Sequence, residues 1–197
     1  MLRKALDADP SNLAAYASLG QLYYVQGQIS RAMTEFENVV TRQPDSVPGH
    51  TMLAILLNRQ GQPDEAKAHY EKVLAINSRS PVAANNLAWM YATKGENLDV
   101  ALQLAQTASS QLPDQPEVTD TLAWVYQKKG MSKQAIPLLQ RIVEKNPSNP
   151  QFLYHLGVAL SSSGDQDGAK RALEKALALN PNFADAADAR RVLATVQ

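Results

Sequence analysis

A repeat of about 34 residues is the feature that most constrains the fold of this chain. Glycine returns at intervals of 34, 34, 35 and 34 residues along the 197-residue sequence. A unit of this length is one supersecondary element, which cannot bury its apolar face alone and is stabilised by stacking on its neighbours. The period therefore predicts a stack of similar units. The glycines of the column are Gly27, Gly61, Gly95, Gly130 and Gly164.

Two further columns of small residues keep the same register. A leucine and a small residue stand together before each glycine, and an alanine follows it. Small side chains let two helices approach closely, and a leucine in either column would overpack the contact at a cost of roughly 1–3 kcal/mol. The first column is Gly20, Ala54, Ala88, Ala123 and Gly157, and the second is Ala32, Ala66, Ala101, Ala135 and Ala169.

Each unit is predicted to contain two helices. The glycine ends the first helix because it adopts the left-handed cap without steric cost. The second helix ends before a proline, which disfavours helix in the residue preceding it. The extra residue in GENLDVA is expected to lengthen one turn, and Pro137 to distort one helix locally. The predicted helix caps are Ser11, Asp45, Asp114 and Ser148.

The columns resemble the tetratricopeptide repeat, most closely in LGQLYYVQGQISRAMTEFENVVTRQP. The resemblance implies an all-α solenoid of tandem helix-turn-helix repeats that forms part of a right-handed superhelix. Segment 1–12 matches the second helix of a truncated preceding repeat, and segment 184–197 reads as a C-terminal capping or truncated helix. We hypothesise that the chain is a piece of a longer array. The five predicted repeats are 13–46, 47–80, 81–115, 116–149 and 150–183.

Composition removes several classes of function. The 19 basic and 19 acidic residues balance, which argues against a nucleic-acid partner. Cysteine is absent, so disulfides and thiolate metal sites are excluded. No apolar run is long enough to insert this segment into a membrane, and the sequence leaves cytoplasmic and periplasmic locations open.

No pattern in the sequence indicates catalysis. Phosphate-binding glycine loops and nucleophile motifs are absent, and the acidic residues are dispersed. The three histidines lie in different repeats without metal-ligand spacing. We therefore predict no enzyme activity, no cofactor and no metal. His50 is expected at the edge of the core, His69 in solvent, and His155 on the face of a first helix.

The resemblance implies that first helices line a concave surface that binds an extended peptide. The two tryptophans of the chain occupy equivalent positions in NNLAWMY and DTLAWVY, on a stripe that is unusually apolar for a solvated face. Asparagine amides on the stripe are expected to hold a peptide backbone. The predicted contacts are Met52, Ile55, Asn85, Asn86, Trp89, Trp124, Tyr154, His155 and Val158.

Two alternatives stay open at this stage. Each tryptophan could simply pack against the neighbouring first helix, or the chain could be a structural spacer that self-associates through its terminal helices. A clamp for a C-terminal carboxylate is disfavoured, because the positions that carry the Lys/Asn/Arg set of such family members hold Ala17, Gln21, Val82 and Asn86 here. Only Asn86 is a clamp-type residue, and the cations are missing. The tryptophan runs are similar to those of bacterial arrays, including ones attached to secretion and surface-polysaccharide systems.

Overall fold

The computed structural model of the protein describes Leu2, Leu6, Asp9 and residues 11–196. The chain divides into two compact units, Met1–Met90 and Tyr91–Gln197. The predicted truncated helix at 1–12 lies largely outside the described residues.

The first unit is built from consecutive helices that pack on one another in chain order. Helix α1 packs on α2, α2 on α3, and α3 on α4. Helix α5 begins in this unit and ends in the second. The bounds are α1 Leu13–Val25, α2 Ile29–Arg42, α3 Val47–Arg59, α4 Pro63–Ile76 and α5 Pro81–Lys94.

The second unit contains six further helices, of which α8 continues through Pro137. The part of the chain that the structure describes contains helices and turns and no strand. The prediction of an all-α helical-repeat solenoid is thereby confirmed. The bounds are α6 Leu98–Gln111, α7 Pro116–Lys128, α8 Ser132–Lys145, α9 Pro150–Ser163, α10 Gln166–Leu179 and α11 Ala186–Leu193.

The small columns lie where helices touch. A Cβ atom added to Gly20 would lie 2.9 Å from a ring carbon of Phe36, and one added to Gly157 would lie 2.6 Å from Cγ of Leu173. Such distances are too short for a carbon–carbon contact, so α1 meets α2 and α9 meets α10 with no spare room. The column alanines are all fully buried: Ala54, Ala88, Ala123, Ala32, Ala66, Ala101, Ala135 and Ala169.

The glycine column ends first helices as predicted, because all five glycines have positive φ angles between 71° and 93°. The extra residue of the third predicted repeat lies in the turn after Gly95, which precedes α6. There Asn97 adopts the left-handed region with φ 47° and ψ 39°. Asparagine tolerates this region better than most residues with a side chain, so Asn97 accommodates the extra residue within the turn between α5 and α6.

The predicted helix caps are wrong by one residue. Three first helices are capped by the residue that follows the predicted one: Asn12, Ser46 and Asn149 accept hydrogen bonds from backbone N–H groups of the first turn. Helix α7 is preceded by Gln115, whose side chain makes no cap hydrogen bond. Ser11, Asp45, Asp114 and Ser148 therefore lie one position outside the cap.

The tight helix contacts predict a position-specific penalty. Ala123→Leu adds three carbons at a fully buried site on α7, and we expect it to lower the free energy of unfolding by about 1–3 kcal/mol. The same substitution at exposed Ala178 on α10 should change it by less than about 0.5 kcal/mol. Urea denaturation followed by circular dichroism measures both. Equal effects at the two sites would contradict the assigned role of the small column.

Candidate functional site

The five predicted contact residues of the first unit are all partly exposed. On α3 the buried side chains include Leu53, Ala54 and Leu57, whereas Met52 and Ile55 keep part of their surface in solvent. Residues three apart share a face of a helix, so these two apolar side chains point the same way. On α5, Asn85, Asn86 and Trp89 are likewise half-buried.

The two asparagines of α5 differ in how their amides are used. The Nδ2 of Asn86 donates a 2.8 Å hydrogen bond to the carbonyl of Val82, one turn earlier on the same helix. The Oδ1 of Asn85 is buried and has no hydrogen-bond partner in the described part of the chain. An unsatisfied buried polar atom is costly, and the hydroxyl of Tyr70 on α4 is in the same state.

One charged residue adds to this face. The guanidinium of Arg59, at the end of α3, lies 6.0 Å from the ring centroid of Tyr24 on α1. Arg59 is itself exposed. Neither Tyr24 nor Arg59 was among the predicted contacts. Both occupy positions of the outward stripe in the first helix of their repeats, and those positions are the signal in the sequence that could have identified them.

The equivalent stripe of the second unit is closed by its own side chains. Trp124 keeps only 7% of its surface exposed, Tyr154 3% and His155 none. The indole of Trp124 stacks on the imidazole of His155, with ring centroids 4.2 Å apart and planes 23° from parallel. The centroid of the Tyr154 ring lies 5.9 Å from that of the indole. Trp124 therefore packs against the rings of the next first helix, which is the alternative that the sequence left open. Val158 remains half-buried.

A buried acid–imidazole pair joins α7 to α9. The Nδ1 of His155 lies 2.7 Å from Oδ1 of Asp120, whose side chain is also buried. Because a carboxylate only accepts, the imidazole donates from Nδ1. Its Nε2 then accepts from the amide of Gln151 at 2.9 Å. The same amide donates to Asp185 at 2.6 Å, which extends the chain of hydrogen bonds to the start of α11.

The phenol group of Tyr154 is also buried by contacts with the C-terminal residues of the second unit. Its hydroxyl donates to the carboxylate of Asp188 on α11, and its ring lies 5.9 Å from that of Phe183. Burial raises the pKa of the Tyr154 phenol to about 12, with the Asp185 charge adding to the shift and Arg191 opposing it. The hydroxyl therefore remains a donor over the physiological range.

Sequence reasoning missed both histidine contacts. The Nδ1 atoms of His50 and His69 lie 2.7 Å apart between α3 and α4, so the prediction that His69 is solvated is wrong. His69 is half-buried, and burial first and the charge of His50 second lower its pKa below the ordinary 6.5. His50 is 8% exposed, as expected for a residue at the edge of the core. Neither histidine pairing follows from sequence spacing, because each joins two helices.

Neither metal nor membrane features arise from the described residues. Within Leu2, Leu6, Asp9 and 11–196, no three histidine, cysteine or carboxylate side chains gather as a metal site would require. Across the same residues, no helix is long and apolar enough to cross a bilayer.

The chain belongs to the tetratricopeptide repeat family. A model of that repeat matches residues 1–56, 57–125, 92–154 and 126–194, which together cover nearly the whole sequence. Proteins of this fold are protein–protein interaction scaffolds and are generally non-catalytic, and this chain carries the fold of such a scaffold.

Proteins similar to the chain include the following two curated relatives and one solved structure. The TPR repeat-containing protein YpiA of Bacillus subtilis is 29% identical over 181 residues, which is 86% of this chain and 40% of that protein. Cellulose synthase operon protein C of Escherichia coli is 49% identical over 53 residues, or 27% of this chain and 5% of that protein. The chain thus spans less than half of either relative.

The solved structure shows the fold alone. It is that of YrrB, described as a TPR protein with an unusual peptide-binding site. The match has a TM-score of 0.75 at 18% identity and covers 96% of this chain and 97% of that one.

The buried pair of the second unit predicts a specific loss of stability. Asp120→Ala leaves the His155 N–H buried without an acceptor, which should lower the free energy of unfolding by about 1–3 kcal/mol. Asp120→Asn keeps an acceptor oxygen, so its free energy of unfolding should fall by less than that of Asp120→Ala. Removal of an exposed carboxylate by Glu144→Ala should stay within about 0.5 kcal/mol. Chemical denaturation tests the series, and an Asp120→Ala variant as stable as Glu144→Ala would contradict the assignment.

Proposed function

We propose that the chain is a non-catalytic scaffold that binds an extended peptide or protein segment on the outward stripe of α3 and α5. The observation that supports this most is the combination of Met52, Ile55 and Trp89, three large apolar side chains left partly exposed at groove positions. Tryptophan is enriched among residues that dominate binding energy, because its large ring removes much apolar surface from water.

The polar groups beside these side chains suit a peptide backbone. Asn86 is tied to its own helix through Nδ2, which leaves its oxygen as an acceptor for a peptide N–H. Arg59 at the end of α3 supplies a cation at one margin of the stripe. The partner should therefore be an extended segment with apolar or aromatic side chains and an acidic or carbonyl group near Arg59. Apolar burial would dominate, so binding should depend weakly on salt.

The predicted contacts of the second unit have a different part in this proposal. Trp124, Tyr154 and His155 are occupied by one another and by α7 and α11, so they hold the scaffold together. Val158 is partly exposed and stays a prediction from the sequence, outside the face on α3 and α5 that is proposed here.

Selection from a displayed library of random peptides tests this function. We expect the wild-type chain to select peptides with apolar or aromatic residues at alternating positions. Trp89→Ala should weaken the selected peptides about tenfold or more, because losing a central tryptophan costs at least about 1–2 kcal/mol. Ile76→Ala is a suitable control, since Ile76 is a 39% exposed apolar residue at the end of α4, outside the stripe.

Fluorescence anisotropy with a labelled selected peptide supplies the affinities, and circular dichroism confirms that each variant is folded. Equal affinity for the wild type and for Trp89→Ala would refute the assignment of this face. A loss of binding in Ile76→Ala as large as that in Trp89→Ala would show that the peptide binds elsewhere.

A structural role through self-association is the second candidate. It is favoured by Val25 and Leu22 of α1, which are 75% and 45% exposed. The similarity of a 53-residue stretch to cellulose synthase operon protein C makes a surface-polysaccharide assembly one setting for such a segment. Sedimentation velocity over a range of concentrations tests it: a dimer that dissociates on Val25→Ser supports this role, and a monomer throughout excludes it for this segment.

A further inference from the structure

The His50–His69 contact in the first unit has no part in the function proposed above. It joins the first turn of α3 to the middle of α4 through two imidazole Nδ1 atoms 2.7 Å apart. The other ring nitrogen of His50, Nε2, lies 2.9 Å from the carbonyl oxygen of Pro44. These two distances together determine where the protons are.

The carbonyl of Pro44 only accepts, so His50 donates to it from Nε2. Neutral His50 then carries its lone pair on Nδ1, and His69 must donate its own Nδ1–H to that lone pair. An additional proton can bind at Nε2 of His69 and leave this hydrogen bond intact. A second additional proton has to bind at Nδ1 of His50, where it faces the Nδ1–H of a cationic ring.

The surroundings of the pair offer little compensation for two positive charges. From α4, the acidic Glu65 acts on His69, and Lys72 lies 2.7 Å from Asp45 and engages that carboxylate. From the turn before α3, the carboxylate of Asp45 interacts electrostatically with His50. Helix α2 meets the first turn of α3 at Gly49, with the apolar side chains of Val39 and Val40. The residues of α5 in this unit, 81–90, include no ionisable side chain.

We propose that His50 and His69 form a proton-operated clasp between α3 and α4, which tolerates one additional proton and opens on the second. Acidification would then loosen α3, the helix that carries Met52 and Ile55. The clasp stands on the geometry of the two rings alone. Only its effect on peptide binding rests on the proposed function.

The sign of the pH dependence follows from proton counting. Both histidines of the unfolded chain become protonated as the pH falls below their ordinary value of about 6.5, whereas the closed clasp holds one additional proton at most. The unfolded state then binds one proton more than the folded state. Stability from this pair is complete above pH 6.5 and is lost as the pH falls below it, by up to about tenfold in the folding equilibrium constant per pH unit.

Comparison of the wild type with His69→Gln isolates the pH dependence of stability that comes from the histidine pair. Glutamine offers a carbonyl oxygen that can accept from a protonated His50, so the variant should not share the extra loss. We expect the ratio of the two folding constants to shift against the wild type by up to about tenfold between pH 6 and pH 5. His155 and the carboxylates are common to both proteins and cancel in the ratio. A ratio that is constant with pH would overturn the clasp.

The imidazole signals of the wild-type protein test the same claim without a variant. Heteronuclear NMR of the ring nitrogens should show an Nε2–H tautomer for His50 at pH 7.5. The pair should take up one proton between pH 7.5 and pH 5. Independent titration of both rings near pH 6.5 would contradict the proposal.

The link to function uses a peptide selected on the wild-type chain. Because linkage is reciprocal, its affinity should fall between pH 7 and pH 5 in the wild type by a larger factor than in His69→Gln. If no peptide is selected at all, the proposed function fails while the stability ratio and the ring titration still decide the clasp. If a peptide binds with the same pH profile in both proteins, the clasp does not regulate the face.

Discussion

Close approach of paired helices is the constraint on which the rest of this structure depends. At Gly20 and Gly157 the facing side chains of Phe36 and Leu173 leave no room for even one added carbon. The small columns set how near the helices lie, and this distance determines which neighbouring side chains can reach one another. These contacts fix the orientation of each helix, and the orientation determines which residues lie on the outward stripe.

The same stripe has different surroundings in the two units. In the second unit, Asp120 and His155 join adjacent first helices, and the stacked Trp124 covers the apolar surface between them. In the first unit, Met52, Ile55 and Trp89 remain partly exposed. A buried carboxylate needs partners that satisfy its oxygens. In the second unit this pair and the rings around it bury the stripe, and the proposed binding surface therefore lies in the first unit.

Much of the fold could be predicted from the sequence, since it is encoded by a period and by residue size. Each of three features is visible as a residue type that recurs at the same place in five repeats. These features are the 34-residue interval, the columns of small residues and the glycines with positive φ. The helix caps were displaced by one residue, because Ser11 and Asn12, or Asp45 and Ser46, are both capable caps in sequence and the backbone angles choose between them.

The contacts between helices could not be predicted in this way. His50 and His69 are nineteen residues apart, and Asp120 and His155 thirty-five. Whether such residues meet depends on how two helices pack, which the residue pattern of either helix alone does not determine. Trp89 and Trp124 occupy equivalent positions in similar runs, yet Trp89 is half-buried and Trp124 is buried, which the sequence of the two runs does not distinguish.

The two indole N–H signals of the chain offer the most direct test of a guest surface confined to the first unit. Each can be assigned with a single tryptophan-to-phenylalanine substitution and followed while a selected peptide is titrated into the isotope-labelled protein. The signal of Trp89 should shift in proportion to binding while that of Trp124 stays in place. Movement of the Trp124 signal alone, or saturation binding that leaves both unchanged, would contradict the account.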